Sequence, residues 1–300
     1  MTASTRPIQP APTPTERSQQ VARAIGWAVA ASIGLVGMNA SMRLAVQTLD
    51  PFVGQFFRYL FGLVLALPLM LRGLAWLKPR NLPGQLWRGF AQGIAITLFY
   101  VSLKYVPLAD AIAILFTSPI VVLIGSALFL GEKVRPARWV AAFVGLGGVV
   151  VLLSPNISGQ GSLFWSLVML SSVPFWAATF LITKWLTRSD STDTIVAWQN
   201  LTITLFTIPM AIMFWHTPSL RELLLTMLAG FCGTAGHWCL TRAMSLADLS
   251  VVQPLRFLDL VWSSLLGIVL FGNIPTAATL IGGTVIVLAT IWLARSETRR

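Results

Sequence analysis

Ten long apolar stretches, separated by links of only a few residues, run through almost the whole chain. A helix needs roughly 20 consecutive apolar residues to cross the hydrocarbon core of a bilayer. The stretches lie at about 24–45, 52–71, 84–103, 110–130, 137–155, 161–186, 193–215, 221–245, 250–271 and 276–294. This pattern predicts an all-α polytopic membrane protein with ten transmembrane helices, and the short links leave no room for a separate soluble domain.

The composition also favours a membrane protein over a soluble one. Of the 300 residues, 56% are hydrophobic and 10% are charged, whereas soluble domains carry about 25% charged residues. A formal net charge of +11 would indicate a nucleic-acid partner in a soluble protein. Here the basic residues follow the predicted links, so we interpret them as orientation signals that contact anionic lipid, and we expect no nucleic-acid partner.

The basic residues are distributed unequally over the two predicted faces of the membrane. If the N-terminus is cytoplasmic, 16 of the 21 Lys and Arg residues fall on the cytoplasmic side, and Lys104 and Arg221 fall on the opposite side. Cytoplasmic loops carry the excess of Lys and Arg in membrane proteins. The distribution therefore predicts that both termini are cytoplasmic.

A short motif divides the chain into two halves. Residues 107–111 read PLADA and residues 245–249 read SLADL, and the later glycines Gly131 and Gly272 are separated by nearly the same length of chain as these two motifs. Five helices per half is an odd number, so the second copy must be inverted in the membrane. Inverted repeats are typical of secondary transporters whose substrate site lies near the midplane between the halves.

The predicted domain boundaries follow from this repeat and from the composition of the N-terminus. Residues 1–20 contain four prolines and no apolar stretch, which predicts a disordered cytoplasmic tail. The first five-helix repeat is expected at 21–155 and the second at 156–300.

Longer segments resemble the EamA type of the drug/metabolite transporter superfamily. Residues 37–72 (GMNASMRLAVQTLDPFVGQFFRYLFGLVLALPLMLR) and 99–134 are similar to its first half, and residues 253–275 (QPLRFLDLVWSSLLGIVLFGNIP) are similar to its second half. The resemblance covers about residues 24–294. One departure is that the family usually has Gly-Glu at the end of both repeats, whereas this chain has Gly131-Glu132 but Gly272-Asn273.

The resemblance implies a permease of the bacterial inner membrane that works by alternating access through a central cavity. It implies small metabolites as cargo, and export of amino acids, especially bulky apolar or aromatic ones, is the expected activity. Nucleoside-like or flavin-like metabolites are the alternative substrate class. The expected partners are the small-molecule substrate and the lipid bilayer, and the protein is expected to be a monomer or a weak homodimer without a cofactor.

Polar and aromatic residues inside the predicted helices are candidates for a substrate site, because such groups must line a cavity or bind one another. His237 lies in a stripe of small and polar residues on the eighth predicted helix. Gln92, Phe99 and Tyr100 share a face of the third with Ile96 and Leu103. The predicted substrate-binding residues are Asn39, Gln92, Tyr100, Trp176, His237, Gln253 and Trp262. A bond to a neighbouring helix would explain His237 equally well, and packing would explain Trp176 and Trp262.

Charged residues and prolines inside the apolar stretches form a second group of candidates. Arg256 and Asp259 are three residues apart, so they share a helix face and can neutralise each other, as a polar gate or as a structural ion pair. Pro119 and Pro254 interrupt the backbone ladder of their helices, and we expect a hinge at each. We interpret Arg58 as a structural anchor of the second predicted helix.

An intramembrane enzyme is the alternative from another functional class. It would need clustered acid–base groups or metal ligands, but Cys232, His237 and Cys239 lack a fourth ligand at a suitable spacing. Asp259 is the one carboxylate that falls clearly within a predicted helix. We therefore predict that the protein is not an enzyme and that it has no catalytic residues and no metal site.

Overall fold

The computed structural model of the protein describes residues 14–71, 78–115, 162–247 and 258–298, with isolated residues between 117 and 154 and at 252 and 255. Every regular element within those ranges is a helix, which agrees with the predicted all-α class. The helices are α1 (Pro14–Ala45), α2 (Pro51–Leu71), α3 (Leu82–Leu103), α4 (Leu108–Leu115), α5 (Leu163–Ser171), α6 (Val173–Leu186), α7 (Thr192–Met213), α8 (Leu220–Leu246), α9 (Leu258–Phe271) and α10 (Ala277–Thr298).

Four helical units among the described residues are long and apolar enough to cross a membrane. They are Gln19–Ala45, Leu163–Leu186, Thr192–Met213 and Leu220–Leu246. The second of these joins α5 and α6 across Ser172, so one predicted span is built from two helices. Most of the predicted fifth span, 137–155, lies outside the described residues, and the count of ten spans remains a prediction.

α1 begins at Pro14, inside the segment that was predicted to be a disordered tail. Proline is favoured at the first position of a helix because its missing N–H would have no intrahelical partner there. The predicted tail over residues 1–20 therefore includes residues that belong to α1, from Pro14 onward. Residues 1–13 lie outside the described residues.

Side-chain caps explain where several of the other helices begin. The Asn81 Oδ1 atom accepts a hydrogen bond from the Gly84 N–H at the start of α3. At the start of α8, the Ser219 hydroxyl accepts from the Glu222 N–H, and the Glu222 carboxylate accepts from the Ser219 N–H at 2.7 Å. Such reciprocal bonds satisfy donors that a helix start leaves without partners.

α1 and α8 approach each other closely at two glycines. A Cβ atom placed on Gly34 would lie 3.0 Å from the Cys232 carbonyl oxygen and 3.1 Å from the Cα of Gly236. A Cβ atom on Gly236 would lie 3.0 Å from Leu35. Small residues allow helix backbones to approach in membranes, where packing rather than the hydrophobic effect holds helices together.

The 22 residues of α3 cover about 33 Å at 1.5 Å per residue, so the two ends of this helix mark the two ends of the bundle. Near the start of α3, Arg88 Nε donates to Thr183 Oγ1, close to the end of α6. Beyond the other end of α3, Val106 accepts a hydrogen bond from Arg43, in the last turn of α1. α1 and α6 therefore end at opposite ends of the bundle, which we call the Arg43 end and the Lys184 end.

Two equivalent contacts lie at these opposite ends. Arg43 Nη1 donates to the Val106 carbonyl at 2.7 Å, and Lys184 Nζ donates to the Ala247 carbonyl at 3.0 Å. Lys184 follows Arg43 at the same interval along the chain as Ala247 follows Val106. The same interval separates Gly131 from Gly272, so the same contact occurs once in each half. Equivalent contacts at opposite ends are what an inverted repeat produces.

Candidate substrate site

A small cavity lies inside the bundle, between α1, α3, α6 and α8. Its volume is about 30 Å³, which is room for one or two water molecules. It is lined by Leu35, Met38, Asn39, Phe99, Leu115, Ser118, Trp176, Phe180, His237 and Leu240. Binding sites for drug-sized ligands are roughly 300–1,000 Å³, so a metabolite would require the helices around this cavity to separate.

The wall of this cavity combines aromatic rings with hydrogen-bonding groups. Phe99, Trp176 and Phe180 contribute the rings, and the last two are stacked with their centroids 6.1 Å apart. Asn39 and His237 contribute an amide and an imidazole. Among the described residues, the buried indole nitrogen of Trp176 has no hydrogen-bond partner. Such a wall suits a planar ring that carries a few polar atoms.

The break between α5 and α6 places Trp176 beside the cavity. Pro174 lies in the first turn of α6, and it cannot donate a backbone hydrogen bond to continue α5. Ser172, between the two helices, donates its hydroxyl proton to the Met169 carbonyl at 2.6 Å. Trp176 follows in the next turn, and Phe180 lies four residues later on the same helix face.

Three of the predicted substrate-binding residues line this cavity, namely Asn39, Trp176 and His237. Gln92 and Tyr100 are buried on the predicted face of α3 but are not among the lining residues. The contribution of these residues to one substrate site therefore stays a prediction.

The other predicted site residues lie farther along the chain. Trp262 is half-buried in α9, and Asp259 in the first turn of the same helix is 2% exposed. Pro119, Gln253, Pro254 and Arg256 lie outside the described residues. The structure therefore does not test the predicted hinges or the predicted ion pair, and both stay predictions.

Sequence reasoning did not include several of the lining residues, of which Met38 and Phe180 are the largest. A signal was available for Phe180, because residues four apart on a helix are neighbours and Trp176 was already a candidate. Phe99 belongs to the α3 face that includes Gln92 and Tyr100. Met38 carried no signal, since methionine is an ordinary residue in an apolar stretch.

A cluster of side chains closes the bundle at the Arg43 end. Thr279 of α10 donates its hydroxyl proton to Asp110 Oδ1 of α4 at 2.6 Å. The Arg43 guanidinium lies over the ring of Phe271, at the end of α9, 4.7 Å from its centroid. Together with the Arg43–Val106 bond, these contacts join α1, α4, α9 and α10. Asp110 lies in the PLADA motif, which sequence reasoning used only as a repeat marker.

A second cluster closes the Lys184 end. Gln85 Nε2 of α3 donates to Asp190 Oδ2 at 2.8 Å, and the Arg80 N–H donates to the other oxygen of the same carboxylate at 2.8 Å. Lys184 Nζ also donates to the Met244 carbonyl at 2.8 Å. Polar contacts therefore join the helices at both ends of the described bundle, and a small cavity lies between them.

In the part of the chain that the structure describes, no group of three or more His, Cys, Asp or Glu residues is arranged so that it could hold a metal ion. Cys232 and Cys239 are both free thiols. The described residues thus offer hydrogen bonds and aromatic rings to a substrate.

The sequence profile described as the EamA-like transporter family matches this chain twice, over residues 22–154 and 163–295. The second matched segment begins as many residues after the first as Lys184 lies after Arg43. The profile therefore covers most of the chain as two repeats.

Curated relatives are similar over nearly the whole chain. A riboflavin transporter of Rhizobium johnstonii is 32% identical over 293 residues, covering 95% of each protein. An S-adenosylmethionine uptake transporter of Rickettsia bellii is 28% identical over 276 residues, covering 91% of this chain and 94% of the relative. A pseudopaline exporter of Pseudomonas aeruginosa is 30% identical over 272 residues, covering 90% and 95%.

One solved crystal structure shares the fold. It aligns with a TM-score of 0.66 and 21% identity, covering 90% of this chain and 98% of the other. At that identity the similarity supports the fold and no particular substrate.

Proposed function

The chain belongs to the EamA-like transporter family, and on that premise we propose that it carries a metabolite with a planar ring system across the bacterial inner membrane. The observation that carries the proposal is the aromatic wall formed by Phe99, Trp176 and Phe180, which shares one cavity with Asn39 and His237. The rings provide a surface for stacking, and the amide and imidazole provide hydrogen bonds that orient the solute.

Two substrate classes fit these groups. Flavin-like or nucleoside-like metabolites are our first choice, because a large heteroaromatic ring matches the stacked pair of Trp176 and Phe180 and because relatives named as riboflavin transporters support that class. Export of bulky apolar or aromatic amino acids, the first expectation from the sequence, is the second choice. The relatives include one named for uptake and another named for export, so the assay must measure both directions.

Alternating access supplies the mechanism of the proposal. The cavity in the described conformation is too small for such a metabolite, so loading requires the helices to separate by release of the contacts at one end. The Arg43–Val106 and Lys184–Ala247 bonds are suited to act as such contacts. In the first half, Arg43 of α1 binds the link after α3, and in the second half, Lys184 of α6 binds the residue after α8. Release of one bond while the other persists would open one side only.

A binding screen followed by flux measurements tests the proposed function. The purified chain is screened by thermal shift against riboflavin, adenosine and L-tryptophan, and each hit is then measured by counterflow in sealed proteoliposomes in both directions. We expect counterflow of at least one of these solutes without chemical change. A chemically altered solute would instead favour the enzyme alternative, and absence of both binding and flux for all three would contradict the proposal.

The aromatic wall is tested by a matched pair of tryptophan variants in α6. Trp176→Ala removes a ring that is 8% exposed and lines the cavity, whereas Trp185→Ala removes a ring that is 51% exposed on the outside of the same helix. We expect Trp176→Ala to raise the Kd of the solute found in the screen about tenfold, which corresponds to a loss of about 1.4 kcal/mol of binding free energy. We expect Trp185→Ala to leave this Kd unchanged. Equal effects of the two variants would contradict a stacking role for Trp176.

A further inference from the structure

Arg58 of α2 is a buried charge that lacks a carboxylate partner among the described residues. Its side chain is 2% exposed, and it is the eighth residue of a 21-residue helix, so it lies about 10 Å from the helix start. Within the described part of the chain, its Nε and Nη1 atoms have no hydrogen-bond acceptor. Nη2 contacts the Met38 sulfur at 2.7 Å, and a thioether is a weak acceptor.

The surroundings of Arg58 are aromatic, and the neighbouring Tyr59 hydroxyl also interacts with the guanidinium. The guanidinium carbon lies 4.0 Å from the centroid of the Tyr59 ring and 5.9 Å from that of Tyr100. Ring faces attract a cation, but they satisfy none of its N–H donors. The Tyr100 hydroxyl is also buried, and it too has no hydrogen-bond partner among the described residues. The Arg58 guanidinium and the Tyr100 hydroxyl therefore lie close together, without the carboxylate partner among the described residues that a buried charge normally requires.

Arg88 of α3 shows how the same chain accommodates an arginine that holds helices together. It is also 2% exposed, but its guanidinium donates to Thr183 Oγ1 at 2.6 Å, to Gln199 Oε1 at 2.7 Å and to the Ile195 carbonyl at 3.4 Å. A buried charge without partners is costly, and in membrane proteins such a charge usually serves function. The contrast argues against a purely structural role for Arg58.

Met38 connects Arg58 to the cavity. Met38 touches the Arg58 guanidinium and also lines the cavity. Gly233 of α8 makes room for the arrangement, since a Cβ atom there would lie 2.7 Å from Arg58 Nη2 and 2.8 Å from the Met38 sulfur. Methionine side chains are unbranched and change conformation easily. A rotation of Met38 would therefore expose the guanidinium to a solute in the cavity.

We propose that Arg58 and Tyr100 form an anion-binding subsite beside the cavity, which receives a carboxylate or phosphate group of the substrate when Met38 moves aside. The inference rests on the proposed function, because the ring of the same substrate occupies the aromatic cavity. The planar fork of a guanidinium donates two parallel hydrogen bonds to either group. The hydroxyl of Tyr100 donates a third, so the substrate supplies the acceptors that the protein leaves out.

Binding of two matched solute pairs to the full-length protein tests the subsite. Riboflavin and riboflavin 5′-phosphate differ by a phosphate, and tryptamine and L-tryptophan differ by a carboxylate. For at least one pair we expect the acid-bearing member to bind the wild-type protein about 10- to 100-fold more tightly, as hydrogen bonds to a charged group imply. The pair that shows the ratio identifies which of the two anionic groups the subsite takes.

Arg58 variants connect this ratio to the guanidinium. Arg58→Met is expected to bring the ratio to about one while leaving the affinity for the acid-free member unchanged. Arg58→Lys keeps the charge but loses the fork, so we expect it to lose most of the ratio as well. Both variants are expected to melt no lower than the wild-type protein, because the arginine they replace has few partners to lose.

The outcomes separate failure of the subsite from failure of the proposed function. Normal binding of the acid-free members with a ratio near one in the wild-type protein overturns the subsite alone. A ratio that survives Arg58→Met, or a large loss of folded protein in both variants, also overturns it, since the latter is what a structural arginine would cause. Failure of all four solutes to bind the wild-type protein overturns the subsite, and if adenosine also shows neither binding nor flux, both proposals are overturned.

Discussion

At the scale of single residues, hydrogen-bond partners distinguish buried charges that hold helices together from a charge that is available to a solute. Arg88 and Arg43 both donate to oxygen atoms on other segments, and each joins parts of the chain that are far apart in sequence. Arg58 contacts a sulfur and two rings. All three are buried arginines in apolar stretches, so their different surroundings come from the fold and not from residue type.

Replacement of Arg88 tests its structural role. Arg88→Met removes the hydrogen bonds that tie α3 to α6 and α7 and leaves Gln199 Oε1 without its donor. Each buried polar group left without a partner costs about 1–3 kcal/mol, so we expect the melting temperature in detergent to fall by several degrees. Arg58→Met is the matched control and should show no such fall. Equal melting temperatures for Arg88→Met and the wild-type protein would contradict the structural role.

At the scale of helices, the bundle depends on close backbone contact between α1 and α8. Gly34 is enclosed by the Cys232 carbonyl and by Gly236, whereas a Cβ atom on Gly26, two turns earlier in α1, would meet nothing within 4 Å. The two positions have the same residue type on the same helix. The requirement for a small residue therefore comes from the neighbouring helix and not from α1 itself.

Leucine substitutions at these two glycines test the helix contact. Gly34→Leu forces α1 and α8 apart, and overpacking of this kind costs about 1–3 kcal/mol or more, so we expect a clear loss of monodisperse protein and a lower melting temperature. Gly26→Leu should be tolerated. If both variants behaved like the wild-type protein in size-exclusion chromatography and thermal unfolding, the close approach of α1 and α8 would be contradicted.

The equivalent contacts of Arg43 and Lys184 lead to a prediction about gating. Arg43→Ala removes the bond to Val106 and should open the Arg43 end, whereas Lys184→Ala removes the bond to Ala247 and should open the Lys184 end. The readout is labelling of a cysteine at Ser118, which lines the cavity, in a background that lacks the two native cysteines.

We expect Arg43→Ala to increase labelling by an impermeant thiol reagent applied from one side of the membrane, and Lys184→Ala to increase labelling from the other. Each variant is the control for the other, because both remove one cation from the last turn of a helix. Increases of similar size from the same side in both variants would show that the two contacts do not act as opposite gates.

At the scale of the whole molecule, the two matched family segments and the two equivalent contacts share the same offset along the chain. The first helices of the two halves, α1 and the α5–α6 unit, end at opposite ends of α3. This geometry is what an inverted duplication requires, and inversion is the arrangement that places a substrate site between the halves. The ten-helix topology and the placement of the termini remain predictions.

Labelling of the two termini tests the topology. Because 16 of the 21 basic residues fall on one predicted side, we expect tags at residues 1 and 300 to react in broken cells and not from outside intact cells. A cysteine at His216, in the link between α7 and α8, is the control and should react from outside. Reaction of either terminal tag from outside would contradict the ten-helix topology.

The sequence by itself determined the class of the protein and much of its helix pattern. Apolar stretches long enough to cross a bilayer can be read locally, so the predicted stretches 84–103 and 221–245 agree within two residues with α3 and α8. The repeated motif indicated two halves, and the resemblance indicated the family. The predicted tail was wrong from Pro14 onward, because low hydropathy does not prevent helix formation that begins at a proline.

The tertiary structure alone decided which of the polar and aromatic residues meet. Asn39, Trp176 and His237 line one cavity with Phe99, which was placed on the candidate face of α3, and with Phe180, which was not predicted. Tyr100 instead lies near Arg58, outside the set of lining residues. The physical reason is that a side chain's neighbours depend on the rotation of each helix about its axis and on its shift along that axis. Packing between helices sets both quantities, and no single apolar stretch encodes them.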